Sequence, residues 1–267
     1  DTFVLTTGAI VGGATGNTDV IIGGAGNDRV VVTGTASIAA ATTPNVRSVE
    51  GLEIRTGHDA GVAADNVAVD ADAFDSLATI FVRNEGQDTV AGVLTSAAEA
   101  ATVTLTDLTA AQATAITVQH GTTGNNLLNT ADAGAGTAGE TQINVDLKTP
   151  GATDTVAVTL VNGLNTDTRF NFELNAQSIV TPANIGTANV ENITITDSDT
   201  ESNTVLLTQA TTNTFTVGAN AVGHDGTITL TGGTAGTFFN LDATANAYRY
   251  DLSGLATGDG GTVIAGT

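Results

Sequence analysis

The apolar residues of this chain come in short runs, each closed by Gly, Asn, Asp or Thr. Early runs are Val30-Val31-Val32, Leu52-Glu53-Ile54, Ile80-Phe81-Val82, Val103-Thr104-Leu105 and Ile116-Thr117-Val118. Later ones are Ile143 to Leu147, Val156 to Val161, Ile193-Thr194-Ile195, Phe215-Thr216-Val217 and Ile228-Thr229-Leu230. Period-two alternation with β-branched enrichment predicts strands. Sustained amphipathic helix periodicity is missing. Ala71 to Leu77 and Thr109 to Ala115 each offer a single helical turn, and Pro44, Pro150 and Pro182 fall between predicted strands. The expected fold class is all-β.

Which all-β architecture follows from what is available to fill a core. Cys, Met and Trp are absent and aromatics make up 4% of the residues, so Val, Ile, Leu, Ala and a few Phe must do the packing. Small branched side chains stack well in regular β layers and fill a large irregular interior poorly. Internal echoes point the same way. Val49-Glu50-Gly51-Leu52-Glu53-Ile54 matches Val190-Glu191-Asn192-Ile193-Thr194-Ile195, and Val69 to Val82 matches Leu105 to Val118. Echoes at irregular spacing fit stacked coils of unequal length. The expectation is a β-solenoid, parallel β-helix-like, with short strands and Gly/Asn/Asp turns. A β-sandwich built from the same runs is the alternative.

Charge narrows the partners. Against 28 acidic residues stand 7 basic ones, a formal net charge of −21. Such a chain is repelled by phosphate backbones and anionic lipid heads, which argues against nucleic acid and membrane surfaces. It also repels itself unless cations neutralise it, and oxygen-rich sites suit calcium. Solubility alone is the plainer explanation of the acidity. Without cysteine there is neither a disulfide framework nor thiol chemistry. No apolar run reaches membrane-spanning length, so membrane insertion is not expected. No basic n-region or apolar h-region opens the chain, and a start at Asp1 reads as a fragment or a processed product.

One segment is far more specific. Gly23-Gly24-Ala25-Gly26-Asn27-Asp28-Arg29-Val30-Val31 fits the calcium-binding nonapeptide G-G-x-G-x-D-x-U-x at every defined position. Gly24 and Gly26 allow backbone geometry closed to other residues, so that carbonyls at the turn, with Asn27, can face a cation. Asp28 supplies a hard carboxylate, and Val30 points inward as an anchor. Asp19, nine residues upstream, reads as the ligand of a degenerate preceding copy. A Gly-rich turn that binds no metal is the alternative.

With Phe3-Val4-Leu5-Thr6-Thr7-Gly8 ahead of it, the nonapeptide resembles the entry to the repeats-in-toxin (RTX) calcium-binding region. The Thr/Ala/Gly-rich remainder, with its Val-Glu-x-Leu/Ile-x-Ile segments, resembles calcium-dependent bacterial surface-layer proteins. That resemblance implies export by type I secretion, a place on the bacterial cell surface, and self-assembly into calcium-held arrays. It implies an RTX-like calcium-binding turn region over 1–34 and a structural solenoid over 35–267. Only one perfect nonapeptide is present, so one or two sites are expected rather than a full calcium roll.

Weaker constellations follow. Asp197, Asp199 and Glu201 alternate after a strand and can converge on calcium in an extended loop, or simply form a solvated acidic turn. Asp70 with Asp72, Glu85 with Asp88, and Asp259 are lesser candidates. His58, His120 and His224 adjoin Gly, with no spacing that suits a transition metal. Alternating threonines such as Thr102, Thr104 and Thr106 suit an exposed strand face and also a carbohydrate-binding one. No G-x-S-x-G elbow, H-E-x-x-H, phosphate loop or cysteine nucleophile is present, and Lys148 is the single lysine. The expected function is structural and non-enzymatic, with copies of the chain itself as partners. An adhesin binding cell-surface polysaccharide, or the non-catalytic portion of a larger type I-secreted RTX protein, are the alternatives.

Overall fold

The computed structural model describes residues 1–6, 9–10, 19–33, 36–39, 44–56, 64–84, 89–90, 93–94, 100–120, 141–149, 154–161, 171–178, 192–197, 204–209, 213–217, 227–232, 238–243, 249–254 and 260–265. They form an all-β fold dominated by two parallel sheets.

The first large sheet begins with β1 (Thr2–Leu5), β4 (Arg29–Thr33), β7 (Gly51–Thr56), β9 (Thr79–Asn84) and β13 (Ile116–His120). It continues through β15 (Thr155–Val161), β17 (Asn192–Asp197), β19 (Asn213–Val217), β21 (Phe238–Ala243) and β23 (Gly260–Ala265). The second begins with β2 (Ala9–Ile10), β5 (Ser37–Ile38), β8 (Ala64–Asp70), β12 (Ala100–Leu108) and β14 (Thr141–Leu147). It continues through β16 (Asn171–Ser178), β18 (Thr204–Gln209), β20 (Thr227–Gly232) and β22 (Arg249–Gly254). From β12 onward the chain alternates strictly between these sheets, and each strand pairs in parallel with the next strand of its own sheet. Parallel neighbours cannot be joined by a tight hairpin, and here the connection runs through the opposite sheet.

Near the N-terminus there is a third face. The strands β3 (Ile21–Ile22) and β6 (Val46–Arg47) pair in parallel, and a parallel bridge joins Val46 to Phe74. A small antiparallel pair, β10 (Thr89–Val90) with β11 (Val93–Leu94), stands apart from the parallel sheets. Both helical turns expected from sequence are present. A 3-10 turn, η1, covers Ala71–Ala73 and a single α-turn, α1, covers Ala110–Ala113. Thr109 caps α1 in a capping box with Gln112, which satisfies two of the free N-terminal amides.

The inward columns of both sheets meet in one core. From the first sheet come Phe3, Val30, Leu52, Ile80, Ile116 and Val158 in register. From the second come Ile38, Val69, Leu105 and Val145. Alternation puts one side chain in two inward, and each fully buried Val, Leu or Ile contributes roughly 1.5–3 kcal/mol. Apart from Phe3, the column is one branched aliphatic deep per strand, which is how a chain without Trp or Met packs an interior. The first sheet runs without interruption across position 34, since β1 and β4 precede it and β7 follows it.

Candidate functional site

The nonapeptide turn leads into β4, second from the edge of the first sheet. Gly24 (φ 96°) and Gly26 (φ 125°) occupy the left-handed region and are exposed, as is Asn27. Only glycine adopts such angles freely, so the turn has the backbone the sequence demanded. Gly23 serves differently. A Cβ there would lie far inside contact distance of the Ser48 carbonyl oxygen and 2.8 Å from Asp28 Oδ2.

Asp28 is 2% exposed. Its Oδ1 accepts from the α-ammonium of Asp1, with which it also forms an ion pair. Its Oδ2 is buried with no hydrogen-bond partner among the described residues. The backbone amide of Asp28 donates to Glu50 Oε2 at 2.8 Å, while the Asp28 carbonyl accepts from the amides of Glu50 (3.1 Å) and Gly51 (3.0 Å). Asp1, Asp28 and Glu50 thus occupy equivalent positions, each immediately before a strand of the first sheet.

Asp19 does not share this arrangement. It is exposed and precedes β3, and no hydrogen bond or ion pair joins it to Asp28. The reading of Asp19 as the ligand of a preceding copy rested on a nine-residue repeat. The actual return lengths here are 27 residues, from Asp1 to Asp28, and 22, from Asp28 to Glu50. Asp197 closes β17, and Asp199 and Glu201 lie outside the described residues, as do Glu85, Asp88, Asp259, His58 and His224. His120 is the last residue of β13 rather than part of a turn.

A second acidic group gathers where β8 turns into η1. Carboxylate oxygens of Asp70, Asp72 and Asp107 lie within 4.8 Å of one another, close enough to hold a metal ion. Asp70 ends β8 and also caps η1, accepting the Asp72 amide at 2.9 Å. Asp107 belongs to β12, at a register shift between Leu105 and Leu108, where its φ is 56°. Asp tolerates that region better than most residues, and the irregularity delivers a third carboxylate to the corner. Burial pushes the Asp70 carboxyl above its ordinary range, and the charges of Asp107 and Asp72 add to the effect. Lys148 already pairs with Asp72. The hydrogen bond to Asp72 raises the Lys148 pKa.

A third charged group sits on the outer face of the first sheet. Glu53 is 1% exposed and meets Arg29 at 2.7 Å and Arg55 at 2.6 Å, with Arg83 at 3.9 Å. Arg83 also lies over the Phe81 ring, 5.4 Å from its centroid. Three of the chain's seven basic residues therefore surround one carboxylate.

Sequence reasoning missed Glu50, Glu53 and Asp107. For Glu50 a signal was present, because the echoed Val-Glu-Gly-Leu segment places an acid just before a strand. Asp107 carried none, since nothing marks a bulge in Thr104-Leu105-Thr106-Asp107-Leu108.

Compared with known proteins, the chain matches no family model, no curated protein and no solved structure. Among the described residues no helix is long and apolar enough to cross a membrane.

Proposed function

We propose that the chain is a calcium-stabilised, non-enzymatic segment of a self-assembling bacterial surface layer, exported by type I secretion, with its two large sheets wound as one β-solenoid. The observation that carries the calcium reading is Asp28 Oδ2, a buried carboxylate oxygen with no partner, in a turn of the calcium-binding nonapeptide pattern. Leaving such an atom unsatisfied costs about 1–3 kcal/mol. A hard divalent cation removes that cost and matches a donor set made of oxygen alone.

The solenoid reading rests on chain order. Strands alternate between two parallel sheets, and the return lengths differ from rung to rung, from 22 residues between Asp28 and Glu50 to 42 between Ile116 and Val158. Unequal returns are tolerated when only the strands must stack. Asp70, Asp72 and Asp107 offer a second place for a calcium ion. Neutralising carboxylates lowers the self-repulsion of a chain at −21 and lets copies approach one another.

Far-UV circular dichroism and light scattering, with calcium and then with excess chelator, test this reading. Calcium is expected to increase order or assembly, and chelation to reverse it. Identical spectra and scattering in both conditions would sink it.

A further inference from the structure

The Asp28 carboxylate does not stand alone: the Asp1 α-ammonium meets its Oδ1, and its Oδ2 and the Ser48 carbonyl oxygen both lie close to the place a Cβ on Gly23 would take. We propose that Ser48 and Glu50, in the segment that enters β7, complete a calcium site with Asp28, so that one ion clamps β4 to β7. The proposal rests on the calcium reading above and names the ligands that the nonapeptide pattern does not supply.

Three observations converge. The missing side chain of Gly23 marks a point on which the Ser48 carbonyl oxygen and Asp28 Oδ2 both close, so a carbonyl and a carboxylate oxygen face the same small region. Asp28 Oδ2 is buried and unpartnered there. Ser48 is held in the left-handed region (φ 50°), which costs a non-glycine residue roughly 1–2 kcal/mol. Its amide is pinned by Asp75 Oδ1 at 2.8 Å, and Asp75 in turn accepts from the Ser76 hydroxyl at 2.6 Å.

Glu50 adds the second charge. One of its oxygens, Oε2, accepts the Asp28 amide at 2.8 Å. The other takes part in no hydrogen bond or ion pair among the described residues. The Glu50 carboxylate is thus held at the Asp28 backbone, and the α-ammonium of Asp1 meets only the Oδ1 side of Asp28. Carbonyl and carboxylate oxygens with no nitrogen or sulfur select a hard cation, and calcium accepts an irregular oxygen set where magnesium demands a near-ideal octahedron.

The test is calcium titration by isothermal calorimetry on the chelator-treated full chain. It is run in an Asp107→Asn background, which removes one carboxylate of the other acidic group. Glu50→Gln is the informative variant, because the Gln carbonyl oxygen still accepts the Asp28 amide while the charge is gone. Expected is loss of one calcium equivalent, or binding at that site weakened at least about tenfold. Asp28→Asn should do the same, and Glu50→Asp should recover part of the affinity. A Glu50→Gln variant that binds calcium with unchanged stoichiometry and affinity overturns the proposal while leaving the calcium reading intact. If the parent chain binds no calcium, the reading itself fails. Should Glu50→Gln melt earlier without calcium, the calcium-induced rise in melting temperature is the readout. An undiminished rise overturns the proposal equally.

Discussion

The Asp28 amide donates to the Glu50 carboxylate, one strand further along the first sheet, at 2.8 Å, and the α-amino group of Asp1 donates to the Asp28 carboxylate in the same way. Each acidic side chain thus receives the backbone nitrogen of the preceding rung. The series ends at Ala78, which has no carboxylate to offer; its amide donates to the Glu50 carbonyl at 2.8 Å, as the Glu50 amide does to the Asp28 carbonyl at 3.1 Å. A ladder of this kind ties neighbouring strands together outside the sheet hydrogen bonds, and it concentrates negative charge at one corner of the stack.

That corner tolerates no side chain at position 23. Gly23→Ala drives a methyl group into the Ser48 backbone carbonyl and against the buried Asp28 side chain. The expected loss is about 2–3 kcal/mol, typical of an overpacked site that cannot relax. Gly24→Ala meets nothing within 4 Å and suffers only from its φ of 96°, so the loss should be nearer 1 kcal/mol. Chemical denaturation of both variants checks the order, and a Gly24 variant as damaged as the Gly23 variant would contradict it.

Glu53 should show an asymmetry between removing the acid and removing its bases. Arg29 and Arg55 reach solvent, at 49% and 34% side-chain exposure, whereas the Glu53 side chain is 1% exposed. Glu53→Gln therefore leaves hydrated cations and removes a buried charge, and it should cost about 1 kcal/mol. The double variant Arg29→Met/Arg55→Met strands the buried carboxylate with Arg83 at 3.9 Å, and should cost about 3 kcal/mol or more. Equal losses in urea denaturation would refute the difference.

The strands and core were legible because their signal is local. Val103 and Leu105 face inward and Thr102 and Thr104 do not, as period two requires. The echo between Val69–Val82 and Leu105–Val118 reflects direct pairing: Val69 sits beside Leu105 and Val82 beside Val118. The helical turns η1 and α1 both fall between the paired strands of the two echoed segments, with α1 starting three residues later in the alignment. The other echo places Gly51 and Asn192 at the first positions of β7 and β17, in the same sheet. What stayed hidden depends on the return length. Glu53 reads as an ordinary outward strand residue until strands 22 and 28 residues away bring Arg29 and Arg83 against it. The stacking of Asp28 on Glu50 rather than Asp19 depends on the same lengths, which loops set and local pattern does not record.

The α1 corner gives a prediction about a bridge between rungs. Buried Gln112 accepts the Thr109 amide at 2.8 Å through Oε1 and donates to the Leu77 carbonyl at 3.1 Å through Nε2. Gln112→Leu keeps the volume but leaves both partners without their bond, and should lower stability by about 1–3 kcal/mol. Thr109→Ala removes only the cap, at about 1 kcal/mol. Thermal melts of the two variants decide; a harmless Gln112→Leu would mean that water replaces the amide.

The acidic corner of Asp70, Asp72 and Asp107 should make stability depend on pH in a direction that calcium reverses. The folded pKa of Asp70 is raised above 3.8, chiefly by burial, with Asp107 and Asp72 reinforcing the shift and the Asp72 amide opposing it. A carboxyl with a raised folded pKa destabilises the fold at pH values above that pKa. The penalty disappears as pH falls through the folded pKa towards the unfolded one. In chelator, Asp70→Asn removes the penalty while its carbonyl oxygen still accepts the Asp72 amide. The variant should therefore melt higher than the parent at pH 7, and the gap should close as pH approaches 4. With calcium in excess the ordering should change, because an ion held by the three carboxylates turns the buried charge of Asp70 from a cost into a ligand. Melting temperatures across pH, with calcium and with chelator, test both halves. A variant that melts lower than the parent in chelator at neutral pH would contradict the first. A parent that calcium stabilises no more than the variant would contradict the second.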